Sequence, residues 1–274
     1  MLYQCPICPS PRVETNSFVP MKTNREIVVA LCKDCGYACR VDERNEQENL
    51  CLQEDFFDGD ANIPDKRFIR WPRRLALVAA EVRRFTGGTG KALDVGCNNG
   101  MWLAALGSGW ERHGVELSSV AAEMARRFTN AQIFCGPFES YRAEPESFGL
   151  ITAFAVIEHL SNPRTLVKWA CDHLKHNGLF VLMTGDRESE TAVRMGAEWP
   201  LYVPDSHLSF FSARSLSHLI EMEGFQIERK EWRFMYTAQG MGSKYFRAYM
   251  RVREILRYIE IPVHDHFYLY ARKI

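Results

Sequence analysis

Between residues 91 and 231 the apolar positions fall into short continuous runs separated by stretches of helical spacing. Ala92 to Val95, Trp110 to Glu116, Ala131 to Phe134, Phe148 to Val156 and Leu179 to Met183 read as strands. The run from Phe148 is almost unbroken, which predicts a central strand buried on both faces. Met101 to Leu106, Ser118 to Phe128 and Pro163 to about Lys175 carry the helical period, with Ser118 and Asn162-Pro163 placed as N-terminal caps and Asn177-Gly178 as a turn. Ser212 to Gly224 is a further helix stopped by glycine, and Gln226 to Trp232 and Phe267 to Ala271 are the last strands. Strand and helix alternate, so the expected fold class is α/β with a doubly wound, mostly parallel sheet.

Ahead of this region, Phe68, Leu75, Val78, Val82 and Phe85 repeat at helical spacing over Asp65 to Phe85, with Arg73, Arg74, Arg83 and Arg84 between them. Those arginines read first as a solvated face. Gly87 to Gly90 ends the helix. Asp42 to Asp60 is an acidic stretch broken by Asn and Gly, a linker with one short helix over Glu46 to Gln53. Near the other end, Tyr245, Tyr249, Val252, Leu256 and Ile259 make an apolar helical stripe beside Lys244, Arg247, Arg251, Arg253 and Arg257. A helix with one core face is the simpler reading of it, and a site for a phosphate-bearing acceptor is the other. The expected organisation is a small N-terminal unit over 1–45, linker and helices over 46–90, and an α/β domain over 91–274.

The first strand of that domain ends in Asp94-Val95-Gly96-Cys97-Asn98-Asn99-Gly100 and runs directly into a helix. Glycines there let backbone N–H groups approach a ligand, and Glu116 stands at the tip of the next strand, about 20 residues on, where such folds place a carboxylate for two ribose hydroxyls. The expected ligand is a nucleoside. The dinucleotide fingerprint lacks its third glycine, so a pyrophosphate cradle is poorly supported.

On these residues the chain resembles the class I S-adenosylmethionine-dependent methyltransferases, whose first motif reads D-x-G-C-G-x-G. Asn98 stands where that family has glycine, and Asn is the non-glycine residue that best tolerates positive φ. The likeness continues through Val156-Ile157-Glu158-His159-Leu160-Ser161-Asn162-Pro163, Leu174 to Leu179, Trp199 and His207-Leu208-Ser209-Phe210-Phe211-Ser212. That tail is similar to the subgroup of ubiquinone-biosynthesis, sugar and natural-product methyltransferases, some of which carry an N-terminal zinc ribbon. Gly149 replaces the family's aspartate, and His176-Asn177 its Pro-Gly. The resemblance implies a Rossmann-like seven-stranded sheet with a reversed edge strand. It also implies S-adenosylmethionine as cofactor, held by Asp94, Gly96, Cys97, Asn98, Asn99, Gly100, Glu116 and Leu117. Pro137 and Phe138 would lie against the adenine, Pro137 replacing an acid of relatives, and Ala155 and Ile157 beside the methionine part.

Cys5-Pro6-Ile7-Cys8 and Cys32-Lys33-Asp34-Cys35-Gly36 form two C-x-x-C knuckles. Two such turns bring four thiolates into a tetrahedral set suited to Zn²⁺, and a fully thiolate set leaves no open position, so this zinc is expected to be structural. A stretch this short and this poor in large apolar groups would draw much of its stability from the metal. Nine cysteines, an odd number, fit reduced thiols better than a disulfide framework.

The 274 residues carry 34 basic and 34 acidic side chains, and this neutrality weighs against nucleic acid as substrate. No apolar run reaches the length of a spanning helix and the first residues lack a signal core, so the expected location is the cytoplasm. Methyl transfer from a sulfonium is an in-line displacement, in which the enzyme aligns the acceptor and removes a proton if the acceptor is a hydroxyl. His207 and His159 are the candidate bases, since imidazole titrates near neutrality. Either could instead hydrogen-bond its own loop. The leading expectation is methylation of a small molecule, at a hydroxyl oxygen of a sugar, lipid or natural-product intermediate, anionic or sugar-linked acceptors included. An RNA base methyltransferase and a non-catalytic cofactor-binding partner protein are the alternatives.

Overall fold

The computed structural model describes residues 5–8, 10–20, 26–41, 66–202, 206–233 and 265–274, with the backbone alone at 66–74 and at Arg233. The expected linker helix over 46–53 and the stripe from Tyr245 to Ile259 lie outside the described residues. Within them, three short strands, β1 (Val13–Phe18), β2 (Ile27–Cys32) and β3 (Ala38–Arg40), precede a long helix α1 (Lys66–Thr86). The α/β unit then runs β4 (Gly90–Val95), α2 (Met101–Leu106), β5 (Trp110–Glu116), α3 (Ser119–Phe128), β6 (Gln132–Cys135), β7 (Phe148–Phe154), α4 (Pro163–His173) and β8 (Leu174–Gly185). It continues through α5 (Glu190–Met195), β9 (Ser209–Phe210), α6 (Ala213–Met222), β10 (Phe225–Arg233) and β11 (His266–Lys273). No helix among the described residues is long and apolar enough to cross a membrane.

Seven strands form one sheet in the order β10-β11-β8-β7-β4-β5-β6. The five from β4 to β8 are parallel, and β11 runs antiparallel to both β8 and β10. The chain winds outward from β4 to β6 and then crosses back to β7, so the strand order reverses between β4 and β7. Helices cover both faces, which is why the central strands are apolar without interruption. Along β8, Leu179, Val181 and Met183 join the core under α1 and α2, while Phe180 and Leu182 join the one under α4 and α6, the two-residue strand period sorting neighbours to opposite sides. In α1 the stripe Leu75, Val78, Ala79 and Val82 is buried and Arg83 and Arg84 are exposed.

Local chemistry ends the helices where the caps stand. The Ser118 hydroxyl accepts from Ala121 N, Asn162 accepts from Arg164 N with Pro163 following, and Ser212 with Ser215 makes a reciprocal capping box.

A second, four-stranded sheet has the order β1-β2-β3-β9. Its first three strands carry the cysteine knuckles, and the fourth belongs to the segment that follows β8. Ala38 pairs with Phe210 and Cys39 with Ser209. Side chains of both parts fill one small core, Ile27, Val29 and Ala38 from the N-terminal strands against Trp199, Leu201 and Phe210. Arg187 Nη1 donates to the Gly36 carbonyl at 3.0 Å and Arg164 Nη2 to the Ile7 carbonyl at 3.0 Å.

Candidate functional site

The loop after β4 is shaped by three residues in the left-handed region, Gly96 at φ 71°, Asn98 at φ 48° and Gly100 at φ 79°. Gly96 and Cys97 donate their N–H groups to the Val115 carbonyl at 2.8 and 3.0 Å, which folds the loop over the end of β5. A Cβ on Gly96 would stand 2.5 Å from Val156 Cγ2, because the loops after β4 and β7 touch where the strand order reverses. Open α/β sheets bind ligands at that position.

Glu116 braces this loop. Its Oε2 accepts from Asn98 N at 2.8 Å and its Oε1 from Ser118 N at 3.0 Å. Burial pushes the carboxyl up from its ordinary range, and the N–H donors oppose the shift. Each oxygen retains a further lone pair that a ribose hydroxyl could use. Asp94 lies deeper, accepting from the Thr152 hydroxyl at 2.6 Å, and Thr152 accepts from Trp102 Nε1 at 2.9 Å. Burial pushes Asp94 up to about 8, with the charge of Glu116 adding to the rise. Asp94 is therefore an underlying support of the loop.

The remaining expected cofactor residues lie at the same end of the sheet. Leu117 is half-buried, and Pro137 and Ala155 are exposed, Ala155 at φ 54°. Phe138 turns inward, edge-on to Trp169 with ring centroids 5.7 Å apart, and the Ile157 side chain is fully buried. Gly136 N donates to the Glu116 carbonyl at 2.9 Å and so ties the loop after β6 to the end of β5.

The segment after β7 and the segment before α6 bring Glu158, His159 and His207 together, with one ligating atom of each within 4.8 Å of the others. His207 Nδ1 donates to the Leu201 carbonyl at 2.8 Å and His159 Nδ1 to the Ser206 carbonyl at 3.0 Å. A carbonyl only accepts, so each Nδ1 carries a hydrogen, and the neutral form of either ring has its lone pair on Nε2. Burial, and then the neighbouring His159, hold His207 well below the usual imidazole range. The Glu158 carboxylate is buried and accepts from the Thr184 hydroxyl at 3.0 Å. Sequence reasoning named both histidines and missed Thr184, which merely ends an apolar strand; Glu158 was visible only as part of a motif.

The four cysteines of the knuckles are buried and within 4.8 Å of one another, with Cys5 Sγ 3.6 Å from Cys35 Sγ and Cys8 Sγ 3.5 Å from Cys32 Sγ. Four Zn–S bonds of about 2.3 Å in a tetrahedron space the sulfurs at about 3.8 Å, so the set fits Zn²⁺. The Cys35 thiol, hydrogen-bonded to Cys5, holds Cys5 down to about 5 and is itself pushed up. That shared negative charge is what a dication would offset.

The profile described as "Methyltransferase domain" matches residues 66–230. The ubiquinone biosynthesis O-methyltransferase of Pasteurella multocida is 28% identical over 148 residues, 47% of this chain and 60% of the relative. Its counterpart from Glaesserella parasuis is 27% identical over 143 residues with the same coverage. The chain thus spans about 60% of the length of these curated relatives. Among solved structures, geranyl diphosphate C-methyltransferase from Streptomyces coelicolor superposes with TM-score 0.59 at 12% identity, covering 85% of this chain and 99% of that one. A Thermotoga maritima methyltransferase described as a possible histamine N-methyltransferase gives 0.57 at 19% identity, covering 82% and 99%. These two likenesses show the fold.

Proposed function

The chain belongs to the methyltransferase-domain family, and on that premise we propose that it transfers a methyl group from S-adenosylmethionine to a hydroxyl oxygen of a small molecule. The observation that carries the reading is the Glu116 carboxylate bridging Asn98 N and Ser118 N beside the glycine loop at the strand-order reversal. When bound, S-adenosylmethionine supplies an electrophilic methyl on a sulfonium. Glu116 would accept from the ribose hydroxyls, the Gly96 to Gly100 backbone and Leu117 would line the cofactor, and Pro137 and Phe138 would border its base. The backbone at Ala155 and Ile157 would flank the methionine part, and Asp94 and Cys97 would support the loop from below.

The acceptor would enter from the side of His159, the partly exposed imidazole, with His207 and Glu158 buried behind it. These groups would take charge of the hydroxyl proton, which favours oxygen as the methylated atom and agrees with the names of the curated relatives. Cys5, Cys8, Cys32 and Cys35 would hold a structural Zn²⁺. The ribbon would then serve the acceptor side, since β3 hydrogen-bonds to β9 two residues past His207.

The test is calorimetric titration with S-adenosylmethionine, followed by incubation with the labelled cofactor and a panel of hydroxylated small molecules and total RNA. Cofactor uptake that Glu116→Ala abolishes, with label in an oxygen-methylated product, is the expected result. No uptake by the folded chain would overturn the reading.

A further inference from the structure

The Glu158, His159 and His207 cluster is more than a pair of imidazoles beside a carboxylate. With Nδ1–H of each ring engaged by a backbone carbonyl, the acceptors the cluster still offers are the two Nε2 lone pairs and the carboxyl of Glu158. No hydrogen bond or ion pair joins the three to one another among the described residues. They nonetheless lie within 4.8 Å, and Glu158 and His207 are buried. The buried Glu158 side chain accepts from the Thr184 hydroxyl, and no Lys or Arg pairs with it among the described residues.

The surroundings have the form of a ligand site. A cavity with room for about one water molecule is lined by Glu158, Thr184, Trp199, Leu201, His207 and Ser209. Trp199 is fully buried and its indole N–H has no hydrogen-bond partner. Ring N–H groups fixed on backbone carbonyls are the outer-shell arrangement that orients histidines toward a metal.

We propose that Glu158, His159 and His207 bind a divalent transition-metal ion, distinct from the zinc of the ribbon, through two imidazole nitrogens and one carboxylate oxygen. Such a set suits a borderline ion such as Zn²⁺ and leaves positions open, unlike four thiolates. The open positions would take an oxygen of the acceptor. This rests on the methyltransferase reading for its role, though not for its existence: the ion would hold the acceptor oxygen and make its hydroxyl proton easier to lose to solvent water, so that the imidazoles would act on that proton through the ion they ligate.

The experiment loads the full chain with Zn²⁺, removes excess metal by dialysis, counts zinc by atomic emission, and examines zinc neighbours by X-ray absorption. The native chain is expected to carry two zinc ions, with nitrogen and oxygen neighbours in addition to sulfur. Glu158→Gln, which keeps the shape and the Thr184 bond, and His159→Gln are each expected to weaken the second ion more than about 100-fold and leave one sulfur-bound ion. One sulfur-bound zinc in the native chain, or a second zinc untouched by either variant, overturns the site. S-adenosylmethionine titration on the same samples separates the two ideas. Cofactor uptake with a single zinc sinks the metal site alone, and two zinc ions without cofactor uptake sink the methyltransferase reading alone.

Discussion

Tyr37 and Ser209 share a 2.7 Å hydrogen bond between their hydroxyls across 172 residues of sequence. The bond joins the cysteine-bearing strands to the segment that carries His207, next to the pairing of Cys39 with Ser209. Tyr37→Phe should lower stability by about 1 kcal/mol, because Ser209 still donates to the Leu160 carbonyl. Urea unfolding measures the loss, and faster hydrogen exchange at Cys39 and Ser209 should accompany it. Unchanged exchange there would mean that the bond does not hold the two parts together.

Glu116→Ala should weaken S-adenosylmethionine binding by about 100-fold or more, since it would remove the charge-assisted bonds proposed to the ribose and releases Asn98 N and Ser118 N. Glu116→Asp should lose less. Calorimetry decides, and equal affinity in all three proteins would remove Glu116 from the site.

Gly96→Ala should cost about 1–3 kcal/mol, through its left-handed backbone and the approach of the new methyl to Val156 Cγ2. Adding Val156→Ala should recover part of that cost, because it removes the clashing methyl and leaves only the backbone strain. Additive losses in the double variant would show that the two loops do not press on one another.

Asp94 makes stability fall as pH rises. Its folded-state value of about 8 lies above the ordinary 3.8, so between those values the folded chain holds a proton that the unfolded chain has released. The contribution is full below about 4, declines by at most about 1.4 kcal/mol per pH unit, and is gone above about 8. Asp94→Asn should flatten this slope in chemical denaturation between pH 5 and 8, at about the range where the acid titrates. A slope identical to the native one would assign the carboxyl an ordinary value.

Chelation of the zinc proposed for the four cysteines should loosen the N-terminal strands and, through β3, the segment around Ser209, while leaving Glu116 and its loop in place. Activity should fall with little change in S-adenosylmethionine affinity. Hydrogen exchange can follow both regions together, and equal protection at Cys39 before and after zinc release would contradict the coupling.

Much of this architecture could be read from local signals. Continuous apolar runs mark strands covered on both faces, and Ser118, Asn162 and Ser212 cap helices with bonds made within three residues. The glycine loop was legible because Gly96, Asn98 and Gly100 are residue types that accept the backbone the turn requires. By contrast, β9 is two residues long and its partner strand lies about 170 residues away, so no periodicity announces it. The short helix α5 also went unread: α2 is no longer, but it follows the glycine loop that announces it, and no such motif precedes α5. At the site, the sequence pointed to His159 and His207 as bases, whereas their tautomers depend on the carbonyls of Ser206 and Leu201, which only the folded chain brings within reach.

The shared sheet bears on anyone who would trim this chain to its methyltransferase half. Cutting away the first 41 residues would strip β9 of its neighbour and bare Trp199, Leu201 and Phe210 to water. An open strand edge beside exposed aromatic rings invites copies of the shortened chain to dock on one another. The trimmed protein should come out of purification as soluble aggregate, its glycine loop intact and the segment that carries His207 unsupported.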